Sequence, residues 1–189
     1  MRIKLSSCFS IAIALMSVAL SAGCGYSAID RNYHGVALFN EEKYDEAFTE
    51  FNKAIEMAPD YAEAYFNRGK IYKDKYQYNE AISDFSKAIE LKPDFFDPYL
   101  ERGIIYNSMV EDAQDENLEL AISDFIKAIS LKPEDEYPYY FRGLAYEMKG
   151  KITEALADIQ TCLGLSYKAK NDYLIDLAGQ VNDRLQKEH

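Results

Sequence analysis

Tryptophan is absent, histidine occurs twice and cysteine three times in a chain of 189 residues. His34 and the terminal His189 form no ligand cluster with the cysteines, and the nine glycines make no phosphate-cradling loop. A metal centre, a cofactor site and a catalytic constellation are therefore not expected, nor is a small-molecule substrate. Cations are scarce too: 21 Lys and Arg against 32 Asp and Glu leave a net charge of -11. Such a surface repels phosphate backbones, which argues against nucleic acid as a partner. The plain meaning of the acidity is solubility.

The chain as a whole has an ordinary globular composition, 48% hydrophobic and 28% charged. The start has the three parts of an export signal: Arg2 and Lys4, then the mostly apolar stretch Cys8 to Leu20, then small residues. That stretch is shorter than the roughly 20 residues a bilayer span needs, so residues 1–23 are expected to be a cleaved signal peptide. An uncleaved anchor from Leu5 to Cys24 is a second reading. Removing residues 1–23 takes away Arg2 and Lys4 and no acid, leaving 19 bases against 32 acids, or -13.

Leu20-Ser21-Ala22-Gly23-Cys24 resembles the lipobox of bacterial lipoproteins, in which the enzyme cuts before a cysteine carrying a diacylglycerol. Ala22, Gly23 and Cys24 fit, whereas Ser21 stands where leucine is usual. Lipidation at Cys24 is the expectation, with ordinary secretory cleavage as the rival. Cys162 then remains as a lone thiol, with a Cys24 to Cys162 bridge as the competing idea. The resemblance implies the bacterial cell envelope, with the chain tethered to a membrane and facing the periplasm. The alternative is a soluble periplasmic or secreted protein. Residues 24–27 would reach at most about 14 Å, and Ser27 with Asp30 reads as a capping box that starts a helix at once.

Aligned against itself, the chain repeats. Gly35, Gly69 and Gly103 recur at 34 residues and Gly143 follows after 40, each with Leu38, Tyr72, Tyr106 or Tyr146 three positions on. Then come Ala47, Ala81, Ala121 and Ala155; Phe51, Phe85, Phe125 and Ile159; and Ala54, Ala88, Ala128 and Cys162. Pro59, Pro93 and Pro133 close the first three units, and the fourth lacks this proline. The markers fall at helical spacing on both sides of a mid-unit break, so each unit is two short helices. A glycine inside a helix costs about 1 kcal/mol, so its recurrence implies a close approach by the facing helix. Asp45, Asn79, Glu119 and Thr153 stand where the second helix would be capped, and Pro98 and Pro138 suit a first helical turn.

This pattern over Ala28 to about Ala169 resembles the tetratricopeptide repeat. The resemblance implies an all-α fold: a right-handed superhelical array of helix-turn-helix repeats, an α-solenoid, with repeats 28–61, 62–95, 96–135 and 136–169. The family's tryptophan position holds Arg31, Tyr65, Tyr99 and Tyr139, and the third repeat carries six extra residues. Before each glycine stand His34, Arg68, Arg102 and Arg142; before each second-helix aromatic position stand Glu50, Asp84, Asp124 and Asp158. Arginine and aspartate arrive together in three repeats and change together in the first. Ion pairs Arg68 with Asp84, Arg102 with Asp124 and Arg142 with Asp158 are expected, within or between repeats. An arginine ladder gripping carboxylates is the functional alternative.

After the fourth repeat, Tyr173, Leu177, Val181 and Leu185 form a stripe widened by Leu174 and Ala178, so residues 170–189 are read as a capping helix. A helix that fills the groove or dimerises is the alternative. In the family the first helices line a concave groove. Helical geometry puts Phe66, Lys70 and Lys73, then Leu100, Ile104 and Asn107, then Tyr140, Leu144 and Glu147 on that face. This face is too apolar for an acidic chain terminus and suits an apolar segment or amphipathic helix, unless these residues only pack between repeats or under the terminal helix. The acidic insertion, residues 110–120, reads as a loop between the helices of the third repeat; its spacing does not fit a calcium loop. The function these features imply is a protein-binding scaffold at the envelope. The competing reading is a structural or oligomerising protein whose groove its own terminal helix fills.

Overall fold

The computed structural model describes residues 26–110 and 116–188, so the leader, Cys24 and Glu111, Asp112 and Asp115 lie outside the described residues. Among those residues there are nine α-helices and no strand: α1 (Ala28–Asn40), α2 (Tyr44–Met57), α3 (Ala62–Asp74), α4 (Tyr78–Leu91), α5 (Phe96–Ser108), α6 (Glu116–Leu131), α7 (Tyr137–Met148), α8 (Ile152–Ala169) and α9 (Asp172–Glu188). The chain divides after Pro59 into two compact units. In the first, α1 packs on α2. In the second, α3 packs on α4, α5 on α6 and α7 on α8; α4 meets α5, α6 meets α7, and α9 lies on α8.

The helix pairs interlock through the glycines. A methyl group on Gly35 would lie 2.5 Å from the Phe51 ring, on Gly69 2.7 Å from Phe85, on Gly103 2.7 Å from Phe125 and on Gly143 2.9 Å from Ile159. The four second-helix side chains are fully buried, as are Ala47, Ala81, Ala121 and Ala155 beside them. The close approach thus places a large side chain against bare backbone. Removing any one of these aromatic side chains would cost about 3–5 kcal/mol.

Turns within repeats reuse one device. Glu42, Tyr76 and Gly150, in matching positions, take φ of 61°, 59° and 71°. The next amide then reaches back to the first helix, with Lys43 N donating to Leu38 O at 2.9 Å, Gln77 N to Tyr72 O at 2.9 Å and Lys151 N to Tyr146 O at 2.8 Å. This is the left-handed helix stop that glycine takes most readily. Between repeats, Ala58 and Lys92 are extended at φ -141° ahead of Pro59 and Pro93, as the residue before proline must be.

Several local expectations change. Asp45, Asn79, Glu119 and Thr153 lie inside the first turns of their helices, and the cap positions Lys43, Gln77 and Lys151 make no side-chain capping bond. Acidic residues there favour the helix dipole instead of closing the helix end. Ser27 does form a capping box with Asp30: its hydroxyl accepts from Asp30 N at 3.2 Å, and its own N–H donates to the Asp30 carboxylate at 2.9 Å. The extra residues of the third repeat are not all loop. Beginning at Glu116, α6 starts five residues before its marker alanine, where α2, α4 and α8 start three before theirs. Leu118 is buried with Ile122 and Ala145, and Glu119 pairs with Lys149.

Candidate functional site

The expected groove residues all lie on α3, α5 and α7, and all are half-buried. Phe66 rests between Phe85 and Phe95, with ring centroids 5.7 and 5.1 Å away, and the Lys70 ammonium lies 5.9 Å from its ring. Leu100 packs at the edge of the cluster of Phe96, Tyr99 and Ala128. Phe66 and Leu100 therefore serve repeat packing with one side and present the other on the first-helix face. Ile104 follows one turn after Leu100.

One position on this face links successive repeats. Lys73, four residues after its glycine, donates to Glu101 of the next first helix at 2.7 Å. Glu147, at the matching position of the fourth repeat, accepts two bonds from Arg184 of α9, at 2.8 and 2.7 Å. Asn107 occupies the same position in the third repeat. The residue matching Glu101 in the following helix is Phe141, which stacks on Phe125 at 6.0 Å and can pair with nothing polar. The Asn107 Oδ1 is accordingly buried without a hydrogen-bond partner among the described residues. An orphaned acceptor of this kind costs about 1–3 kcal/mol.

The terminal helix takes over the fourth repeat's share of the face. Leu174, Ala178, Val181 and Leu185 of α9 are buried with Ala155, Leu156, Ile159 and Cys162 of α8, and Tyr140 and Leu144 pack against this cluster. Burying the three large α9 side chains contributes roughly 5–9 kcal/mol. Burial also pushes the Tyr140 hydroxyl above its ordinary pKa of 10.0. Tyr173, expected in the stripe, is 70% exposed; the buried line runs 174, 178, 181 and 185 because α9 meets α8 one residue around from the expected face.

The arginines and aspartates meet inside their own repeats. Arg68 donates to both oxygens of Asp84 at 2.8 and 2.7 Å, Arg102 to Asp124 at 2.8 and 2.8 Å, and Arg142 to Asp158 at 2.7 and 2.7 Å. Hydrogen bonds to the partner carboxylates hold the Arg68 and Arg142 guanidiniums above their ordinary range. The Arg102 Nη1 also donates to Ser86 of the preceding repeat at 2.7 Å. With their forks spent on aspartates, these arginines offer no ladder to a ligand. The first repeat keeps the pair by another route: Arg31, one turn earlier, donates to Glu50 at 2.9 Å, His34 Nδ1 lies 3.5 Å from the same carboxylate, and Lys53 adds a bond at 2.8 Å. The sequence signal was there, an arginine where the other repeats hold tyrosine, but it stands outside the repeating register of the other pairs.

Cys162 occupies an alanine position in the core, 3.8 Å from the Ser166 hydroxyl. Burial pushes its thiol up to about 11, and Cys24, the other half of the competing bridge, lies outside the described residues. Among the described residues no group of His, Cys, Asp or Glu could hold a metal ion, and no helix is long and apolar enough to cross a membrane.

Residues 35–75 match a family model described as a TPR repeat, and residues 62–95 match the tetratricopeptide repeat itself. No curated protein matches the chain. Among solved structures, a crystal structure of MamA is similar with a TM-score of 0.72 at 24% identity, covering 90% of this chain and 99% of that one. A second MamA structure gives 0.66 at 26% identity over 76% and 75% of the two chains. A thermophilic TPR protein of Thermus thermophilus gives 0.61 at 24% identity over 74% of each. Residues 35–95 thus carry tetratricopeptide repeats, and the described residues are all-α in the manner of proteins built from them. Such repeats imply a scaffold for protein–protein interaction, and proteins made of them are generally interaction modules and not enzymes.

Proposed function

We propose that this chain is an adaptor of the bacterial cell envelope, held to a membrane by acylated Cys24, that takes an apolar peptide segment or amphipathic helix on the first helices of its second and third repeats. The observation that carries the binding part is the division of the first-helix face. Glu147 is held by Arg184 of α9 and Tyr140 and Leu144 pack against the α8–α9 cluster, while Phe66, Leu100 and Ile104 keep a free side. Lys70 lies at the rim and Lys73 is held by Glu101. An apolar helix laid on this strip buries side chains at i, i+3 or i+4 and i+7. The lipid part rests on Ala22-Gly23-Cys24 following an export-like leader.

A second reading is favoured by the same covered third of the face: a soluble periplasmic or secreted structural protein whose terminal helix is its own ligand. Two measurements separate them. Selection of helical peptides against the purified chain, repeated with Leu100→Asp and Ile104→Asp, should yield ligands that both variants lose by at least about tenfold; ligands indifferent to both would remove the groove reading. Mass spectrometry of the membrane-localised chain should find a diacylglycerol on an amino-terminal Cys24. An unmodified terminus elsewhere would remove the anchor and leave the groove untouched.

A further inference from the structure

The fourth repeat differs from the others at its end. Pro59, Pro93 and Pro133 follow α2, α4 and α6 and keep each from running into the next helix, since proline cannot donate the next helical bond. The matching residue of the fourth repeat is Tyr167, which remains helical, and α8 continues to Ala169. Only Lys170 and Asn171 then join it to α9. Lys170 sits at φ 59°, ψ 40°, a left-handed conformation in which its Cβ crowds the backbone. Nothing in Ala169-Lys170-Asn171-Asp172 forbids a helix. A change at Lys170 to ordinary helical angles would fuse α8 and α9 into one rod over residues 152–188, roughly 55 Å long.

The contacts of α9, in contrast, form a closed set. Its buried line Leu174, Ala178, Val181 and Leu185 matches the α8 face around Ile159 and Cys162, and Arg184 matches Glu147. If α9 swings away, both faces are bare and each complements the other. The occupant best fitted to the vacated surface is therefore the α9 of another copy.

We propose that two copies of this chain exchange their terminal helices: α8 and α9 straighten into one helix, and each α9 docks on the fourth repeat of the other copy, remaking Glu147–Arg184 between chains. The exchange keeps the α9 contacts and gives up those of the turn, where the Asn171 amide donates to Glu136 at 3.0 Å and to the Tyr137 hydroxyl at 3.3 Å, and its carbonyl accepts from Leu174 N at 3.2 Å. Those bonds hold the closed form. Relief at Lys170 and the regained helical bonds favour the open one, as expected of a short strained hinge. The exchange does not depend on the peptide groove and stands if that reading fails.

The full chain is measured by size-exclusion chromatography with light scattering across a wide range of concentrations. Asn171→Ala, which removes the bonds of the closed turn, should increase the dimer. Lys170→Gly, which makes the left-handed turn comfortable, should weaken dimerisation about twenty-five-fold, a factor of about five at each of two hinges. Neither change touches the core, so folding is not at stake. In a Cys8→Ser, Cys24→Ser background, mixing Glu147→Cys chains with Arg184→Cys chains should give a disulfide between the two kinds of chain. An Asn171→Ala protein that stays monomeric at every concentration, a dimer indifferent to Lys170→Gly, or a dimer without that disulfide would each overturn the exchange.

Discussion

Two glycine-to-alanine substitutions in helices should move stability in different ways, and the difference measures how tightly the repeats interlock. Any such change in a helix interior gains about 1 kcal/mol of helix propensity. At Gly164 in α8 nothing lies within 4 Å of the added methyl, so the gain is kept. At Gly103 in α5 the methyl would stand 2.7, 3.1 and 3.1 Å from three atoms of the Phe125 ring. That ring is fully buried and has no room to withdraw, so overpacking of about 1–3 kcal/mol opposes the gain. Gly164→Ala should raise the melting temperature by about 2–4 °C, while Gly103→Ala should leave it level or lower it, the two differing by about 1–3 kcal/mol. Urea unfolding followed by helical circular dichroism reads both. In a Phe125→Leu background, which removes the ring edge, Gly103→Ala should recover part of the gain. Equal stabilisation by the two alanines in the wild-type background would refute the claim that glycine is there for the ring.

Tyr76→Gly should stabilise by about 1 kcal/mol, because glycine takes the left-handed turn without a Cβ clash, and Gly150→Ala at the matching place should lose a similar amount; thermal melts of the pair test this. Cys162 should ignore Ellman's reagent in the native chain at pH 8, where a thiol pushed up to about 11 is roughly one part in a thousand thiolate, and react once urea exposes it. Burial pushes the Glu50 carboxyl up, but Lys53 and Arg31 together outweigh it and hold the group below its ordinary 4.5, so the unfolded chain takes up that proton first. The stability Glu50 contributes is therefore complete above about pH 4.5 and lost as pH falls through its lowered value; Glu50→Gln should flatten that part of the acid-unfolding curve.

What the sequence made legible follows from register. A contact made the same way in every repeat leaves the same residue at the same interval, which is why the glycines, alanines and phenylalanines disclosed the helix pairs and the joint appearance of arginine and aspartate pointed to partners. Contacts made once leave no such trace. Arg31 reaches Glu50 from a position where other repeats hold tyrosine. Leu118 enters the core from within an acidic insertion. Tyr173 satisfies the helical stripe yet faces outward, since which side of an amphipathic helix docks depends on its neighbour's shape and not on its own periodicity. The face on α3, α5 and α7 could be named and its closure by α9 stood among the alternatives, but the extent of that closure could not be read, because nothing in the spacing says how far the last helix folds back.

The arginine–aspartate clasps have a consequence for descent. Each joins the two helices of one repeat, so a duplicated unit brings both halves of its fastening with it and has no need of a matching change in its neighbour. Copying or deleting a whole unit is therefore gentler on this architecture than altering one half of a clasp. In the first repeat the fastening again lies inside the unit, with Arg31 and Lys53 both donating to Glu50.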